Sequence, residues 1–241
     1  MKKKPIIGLA TKNIFWDGKG KYKEKAIEIS SKDPSLFFRR KNLDKIKKSL
    51  KGKELSMHTQ TRRIFTEKVL SELELSALKS EVLTCKFLGC KELIVHLKGN
   101  KLTKKEVETF KEILRFAKGN KVEILYEPNG KFNGKDFLYN LKQFNGLNVN
   151  LDLGHLNTAI ENRTLAMNLE EFISKIRNKV VYVHAHNNSG EDDHFGLNDG
   201  TLDWKRILNM LDLSRVRKII IELHDFSYYD STKKALEEYL R

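Results

Sequence analysis

The sequence predicts an α/β protein, a single (β/α)8 (TIM) barrel spanning residues 1–241, and three observations carry that expectation. Short apolar runs rich in Ile, Val and Leu alternate with longer helical patterns along the whole chain, as parallel strands joined by crossover helices require. Eight such runs can be counted, and 241 residues suit a barrel that needs roughly 250. The least regular stretches, residues 12–21, 59–66, 130–135 and 187–202, each follow a predicted strand, where barrels build their active sites.

The expected strands are residues 6–10 (IIGLA), 35–39 (SLFFR), 54–58 (ELSMH), 92–97 (ELIVHL), 122–127 (VEILYE), 147–152 (LNVNLD), 180–186 (VVYVHAH) and 218–223 (KIIIEL). Their β-branched content and length favour strand over helix. Helical periodicity falls between them over residues 43–50, 67–88, 104–118, 169–177 and 205–211. Thr103-Lys-Lys-Glu106 and Asn168-Leu-Glu-Glu171 have the spacing of capping boxes, and Gly89, Gly119 and Gly146 fall where helices should stop. No Pro/Ser-rich linker and no repeat shorter than the βα unit interrupts the pattern.

Composition narrows the class. A hydrophobic fraction of 39% with 32% charged residues describes an ordinary globular chain with a Lys- and Glu-rich balance of the kind thermophilic proteins carry. The basic start is followed by an apolar run too short for a signal-peptide core, and no later stretch approaches a membrane span, so a cytoplasmic protein is expected. Cys85 and Cys90 match no zinc or redox spacing and are expected as buried thiols. The formal charge of +14 suits a polyanion partner, but lysines scattered over almost every predicted helix suit solubility equally well. No obligate protein partner is indicated.

The chemistry concentrates at strand ends. Of seven histidines, His58, His96, His155, His184 and His194 fall at or just after a predicted strand, with Glu127, Asp152, Asp192 and Glu222 in matching places. A charged or imidazole side chain directly after an apolar strand is costly unless it is paired or binds metal. Each residue alone reads as hydrogen-bonded structure, and Glu127 and Glu222 could each pair with a lysine. Together they form the imidazole and carboxylate donor set of zinc or manganese.

The segments SMHTQ, ELIVHLKG, ILYEPN, NLDLGH, YVHAHNN, DDHFGLNDGTLDW and IIIELHD together resemble the xylose-isomerase-like barrel superfamily, which includes endonuclease IV and many sugar isomerases and epimerases. In the endonuclease branch nine ligands hold three zinc ions. That resemblance implies one ion at His58, His96 and Glu127, a second at Glu127, Asp152, His184 and Glu222, and a third at His155, Asp192 and His194. The Asp-x-His spacing selects Asp192 over Asp193. It further implies hydrolysis of the DNA backbone at abasic or damaged sites, with Glu127 as a bridging ligand. Arg62, Arg63 and Phe65 would then meet phosphate and fill the gap in the duplex, or else be a solvated pair of arginines and a capping aromatic.

The chain departs from the endonuclease pattern where DNA would be met. GLATKNIFWDGKG replaces a His-containing Gly-rich segment, and His96-Leu-Lys-Gly replaces His-Pro-Gly. Pro128 follows Glu127, His184-Ala-His186-Asn replaces His-Leu-Asn-Asp, and no Arg lies between Asp192 and His194. The alternative that the same resemblance carries is a sugar or sugar-phosphate isomerase or epimerase. There Glu127, Asp152, His184 and Glu222 alone would bind one Mn or Mg ion, and Glu127 and Glu222 would move protons at adjacent carbons. A barrel that binds nucleic acid or sugar without catalysis would leave the ligand set without a use.

Overall fold

The computed structural model describes residues 4–11, 23–30, 34–60 and 71–241. Eight strands lie in sequence order around a closed barrel: β1 (Ile6–Thr11), β2 (Ala26–Ile29), β3 (Glu54–His58), β4 (Glu92–His96), β5 (Glu123–Glu127), β6 (Asn148–Asp152), β7 (Val180–Ala185) and β8 (Lys218–Ile221). Neighbours pair in parallel, as in β2 with β3, β3 with β4, β6 with β7 and β7 with β8. The helices are α1 (Arg40–Ser49), α2 (Ser71–Leu88), α3 (Lys104–Gly119), α4 (Gly134–Lys142), α5 (Leu153–Glu161), α6 (Leu169–Ile176), α7 (Trp204–Met210) and α8 (Tyr229–Tyr239).

One expected strand is misplaced. Residues 35–39 fall in the 3-10 turn Pro34–Phe38 and its exit, and the second strand is Ala26–Ile29 instead. All four residues of β2 are buried, Glu28 among them, so its short AIEI sequence lacks the continuous apolar run that marks the other strands. Pro34 and the exposed Arg39 and Arg40 fit a turn entering a helix better than a buried strand. The expected helices 43–50, 104–118, 169–177 and 205–211 correspond to α1, α3, α6 and α7 within a few residues.

The local signals act as their chemistry suggests. Thr103 and Glu106 form a reciprocal capping box on α3, while Asn168 accepts from the Glu171 amide at the start of α6. After α2, Gly89 takes a left-handed φ of +83°, and the amides of Gly89 and Cys90 both donate to the Cys85 carbonyl. Cys85 and Cys90 are buried thiols, and burial pushes the Cys85 pKa well above its ordinary value. None of the described helices is long and apolar enough to cross a membrane.

The described residues divide into two compact units. One comprises Leu9–Lys98 and Leu102–Leu125, and the other is made mainly of Tyr126–Arg241. In the first, Met57, Leu78, Val82, Leu93 and Val95 pack as a dry layer between strands and helices. In the second, Phe132, Phe137 and Phe172 pack ring against ring beneath Tyr126, fixing α4 and α6 against β5.

Candidate metal centre

In the unit built on Tyr126–Arg241, the ends of four strands supply a ring of carboxylates and imidazoles. Glu127 is the last residue of β5, Asp152 the last of β6, His184 sits near the end of β7, and Glu222 follows β8. Parallel register sets Asp152 beside His184 and His184 beside Ile220, so the strands themselves align the donors. The Nδ1 of His184 lies 3.5 Å from Glu127 Oε2, 3.3 Å from Asp152 Oδ2 and 3.2 Å from Glu222 Oε2. Three carboxylates thus meet at one imidazole nitrogen, and Glu127, Asp152 and His184 are buried.

Such a gathering of like charge out of water requires compensation. Burial would raise the Asp152 carboxyl, but His155, His186 and His184 hold it well below the usual carboxylate range. Burial likewise opposes ionisation of Glu222, and His194, His184 and His186 nonetheless bring its pKa to about 2. Asn150, buried in the barrel two residues before Asp152, donates to Glu127 Oε2 at 2.8 Å. The donor atoms of Asp152, His184 and Glu222, and those of Glu127, Asp152 and His155, lie close enough in each group to surround one ion. Mixed oxygen and imidazole donors suit Mn, Mg, Fe or Zn, so the residues fit a divalent cation.

His155 is on the first turn of α5, because Asp152 caps that helix by accepting from the His155 amide at 2.7 Å. Its Nδ1 faces the Pro128 carbonyl at 3.0 Å and Glu127 Oε1 at 3.2 Å. Burial alone would lower its pKa, but Asp152, Glu127 and Asp192 raise it to about 10. Asp192 Oδ1 is 3.1 Å from His194 Nε2 and 3.7 Å from His155 Nε2. The hydrogen bond from His194 does most to lower Asp192, to about 2. His155, Asp192 and His194 are therefore neighbours, with the Asp192 side chain 57% exposed.

His58 and His96 belong to the other unit, where their rings stand 5.1 Å apart at the ends of β3 and β4. The Thr59 and Gln60 exit from β3 is tied to the buried Glu81 on α2, which accepts from Thr59 Oγ1 and the Gln60 amide. Arg62, Arg63 and Phe65, the residues expected to meet phosphate and a duplex gap, lie outside the described residues.

Two histidines outside the nine expected ligands belong to the cluster. His186 is fully buried, and its Nε2 sits 2.9 Å and 3.0 Å from the two oxygens of Asp152. Its ring lies flat on His194, with centroids 3.8 Å apart and planes 3° from parallel, and His224 lies 4.2 Å beyond. Nitrogen lone pairs lie in the ring plane, so two parallel rings at that separation cannot both aim at one ion. His186 accordingly acts on the donors, clamping Asp152 and backing His194. A signal for this exists in the sequence: His186 stands two residues after His184, and residues two apart along a strand share a face, so both imidazoles are expected on the side of Asp152.

The loop that carries Asp192 and His194 is held by amides. Asn188 is buried and uses every hydrogen-bonding group: its Nδ2 donates to Gly154 O and Thr158 Oγ1, and its Oδ1 accepts from Asn157 Nδ2 and the Gly190 amide. Asn187 donates to Leu197 O and Leu202 O, and its backbone exchanges two hydrogen bonds with Phe195. Between these anchors His194 takes a left-handed φ of +54°, a conformation that a non-glycine residue holds only when its surroundings impose it.

A closed parallel barrel with metal-type donors gathered at the ends of its later strands defines the class of this protein. The chain belongs to the xylose isomerase-like TIM barrel family, whose sequence profile matches residues 25–240. It is 29% identical over 145 residues to the uncharacterized Methanocaldococcus jannaschii protein MJ1311, a match covering 55% of this chain and 47% of that protein. The chain thus spans about half the length of that relative. Among solved structures it is similar to a D-tagatose 3-epimerase-like protein, with a TM-score of 0.80 and 20% identity over 98% of this chain and 97% of that one. It is also similar to a D-allulose 3-epimerase from Methylomonas sp., with a TM-score of 0.75 and 13% identity over 99% of both chains.

Proposed function

We propose that this protein is a divalent-metal-dependent isomerase or epimerase acting on a sugar or sugar phosphate. The observation that carries the reading is the meeting of Glu127, Asp152 and Glu222 on His184 Nδ1, all within 3.5 Å. It supports a one-ion site with two flanking glutamates. The likeness in fold to a D-tagatose 3-epimerase-like protein and to a D-allulose 3-epimerase supports the same reading, and weighs against the endonuclease expectation.

A divalent ion held by Glu127, Asp152, His184 and Glu222 would bind adjacent sugar oxygens and polarise a carbonyl. The chain's own part is to accept and return a proton at the neighbouring carbon. Glu127 ends strand β5 and Glu222 follows β8, and each would set one oxygen on the ion and use the other in that transfer. Asn150 fixes the angle of Glu127. His155, between Glu127 and Asp192, would offer its Nε2 side to a sugar hydroxyl or a phosphate oxygen.

A second reading keeps one specific observation. Asp192 lies between His155 and His194, the set that a trinuclear nuclease acting on DNA would use for a further ion, and zinc would then be the metal. One experiment separates the two. The stripped protein is reloaded with Mn, Mg or Zn, its bound ions are counted, and it is incubated in D2O with a panel of ketoses, aldoses and their phosphates. One ion per chain, with deuterium entering the carbon beside the carbonyl, is expected. Three zinc ions, no deuterium in any sugar, and nicking of an abasic duplex would overturn the reading in favour of the nuclease.

A further inference from the structure

We propose that the outer face of α1 is a binding surface for the phosphodiester backbone of a nucleic acid, independent of whatever chemistry the metal centre performs. Between residues 39 and 53 stand eight cations, Arg39, Arg40, Lys41, Lys45, Lys47, Lys48, Lys51 and Lys53, against the single carboxylate Asp44. That segment carries a formal +7, half of the chain's +14, in 15 of its 241 residues. Other helices do not share the bias: α3 sets five cations against three glutamates, and α8 two lysines against three acids. Charge added for solubility has no reason to concentrate on one helix.

The arrangement is a surface. Ile46 and Leu50 point inward, and all the cations from Arg39 to Lys51 are exposed. At 100° per residue, those on α1 cover roughly 140–160° of the helix circumference. Arg40 and Lys47 brace against the Phe87 ring at 4.2 Å and 4.7 Å, and Arg40 also pairs with Asp44. Lys41, Lys45 and Lys48 keep their charge for solvent or a partner.

Ten helical residues extend about 15 Å, enough to follow roughly four successive phosphates of one strand. An anionic membrane is a poorer match, because a helix lying in a lipid interface needs large apolar side chains on its buried face. None lies among the cations of α1: Leu43 is half-buried on the other side of the helix, and Ile46 and Leu50 belong to the core. Binding of this kind reads charge and spacing without sequence, and it weakens steeply with salt.

The test uses the full chain and fluorescently labelled 20-nucleotide single strands and duplexes of mixed sequence, with anisotropy followed across stepped NaCl. Wild type should bind with a steep log–log salt dependence. The variant Lys41→Glu/Lys45→Glu/Lys48→Glu should bind at least tenfold more weakly near 100 mM salt, with the slope reduced by about two to three, at roughly 0.9 for each phosphate that is no longer neutralised. A control, Lys104→Glu/Lys105→Glu/Lys118→Glu on α3, removes the same charge elsewhere and should retain most of the affinity. Thermal melting of all three proteins establishes that each is folded. Equal losses in the two variants, no binding by wild type, or binding to phosphatidylserine vesicles in place of oligonucleotides would each overturn the proposal.

Discussion

Gly154 sits where a side chain cannot. A Cβ built on it would lie 2.0 Å, 2.3 Å and 2.8 Å from the ring atoms Cε1, Nδ1 and Nε2 of His186. Gly154→Ala must therefore push out a fully buried imidazole that also donates to Asp152. Overpacking of this kind costs about 1–3 kcal/mol, and the missing charge-assisted hydrogen bond about 1.5–3 kcal/mol more. A loss of about 3–5 kcal/mol is expected, or roughly 6–20 °C in melting temperature for a chain of this size. Urea unfolding of the metal-free protein measures it. The sign should invert in a His186→Ala background: with the ring gone the methyl fits, and Ala gains up to about 1 kcal/mol over Gly in the first turn of α5. A loss below about 1 kcal/mol in the wild-type background, or an equal loss in both, would refute the account of His186 as a wedge between Gly154, Asp152 and His194.

Stability of the metal-free protein should peak near pH 6. Asp152, Asp192 and Glu222 have lowered pKa values, so their contribution is complete above about pH 4.5 and is lost as pH falls toward 2. His155 is raised to about 10, so its contribution is complete below about 6.5 and is lost as pH climbs to 10, while His186, lowered by burial, works against the fold below about 6.5. A melting temperature flat from pH 6 to 10 would contradict the His155 geometry. Glu222→Gln should cut proton transfer by at least about a hundredfold and weaken metal binding, read by sugar exchange and calorimetric titration. His194→Ala should raise KM more than it lowers kcat if the protein is an isomerase; a fall mainly in kcat would favour the nuclease reading. Asn188→Leu should lose about 3 kcal/mol or more, because it removes the acceptor of the buried Gly190 amide and the donor to Gly154 O and Thr158 Oγ1; near-neutral melting would mean that water replaces them.

Much of the barrel is legible because its strands are apolar runs, a pattern that survives without knowledge of the tertiary packing. β2 is not: its four residues include a buried Glu28, and the neighbouring SLFFR is more apolar than AIEI although Pro34 begins a turn there. The strand-end histidines and carboxylates stand out for the same reason that strands do, as charge directly after hydrophobic runs. His224, Asn150 and Asn188 do not, since they act through other side chains and have no spacing of their own. Asn150 looks like any polar residue in a strand until Glu127 is placed opposite its amide. The clustering of charge on α1 is written in the sequence, yet it dissolves into a whole-chain total until burial separates the outward lysines from Ile46 and Leu50.

The amide lattice beneath the loop of Asp192 and His194 makes this part of the centre a mould whose shape is set by protein groups alone. Asn188 and Asn187 draw all their partners from the chain itself. An ion entering such a mould does not have to organise the polypeptide, so loading and stripping should proceed without passing through an unfolded intermediate. Cations of similar radius and charge can then exchange against one another on the assembled protein. If an ion occupies this site in a cell, its identity would depend on the supply of each metal as well as on the donors and geometry of the cradle, and a shift in supply would change the occupant without changing the fold.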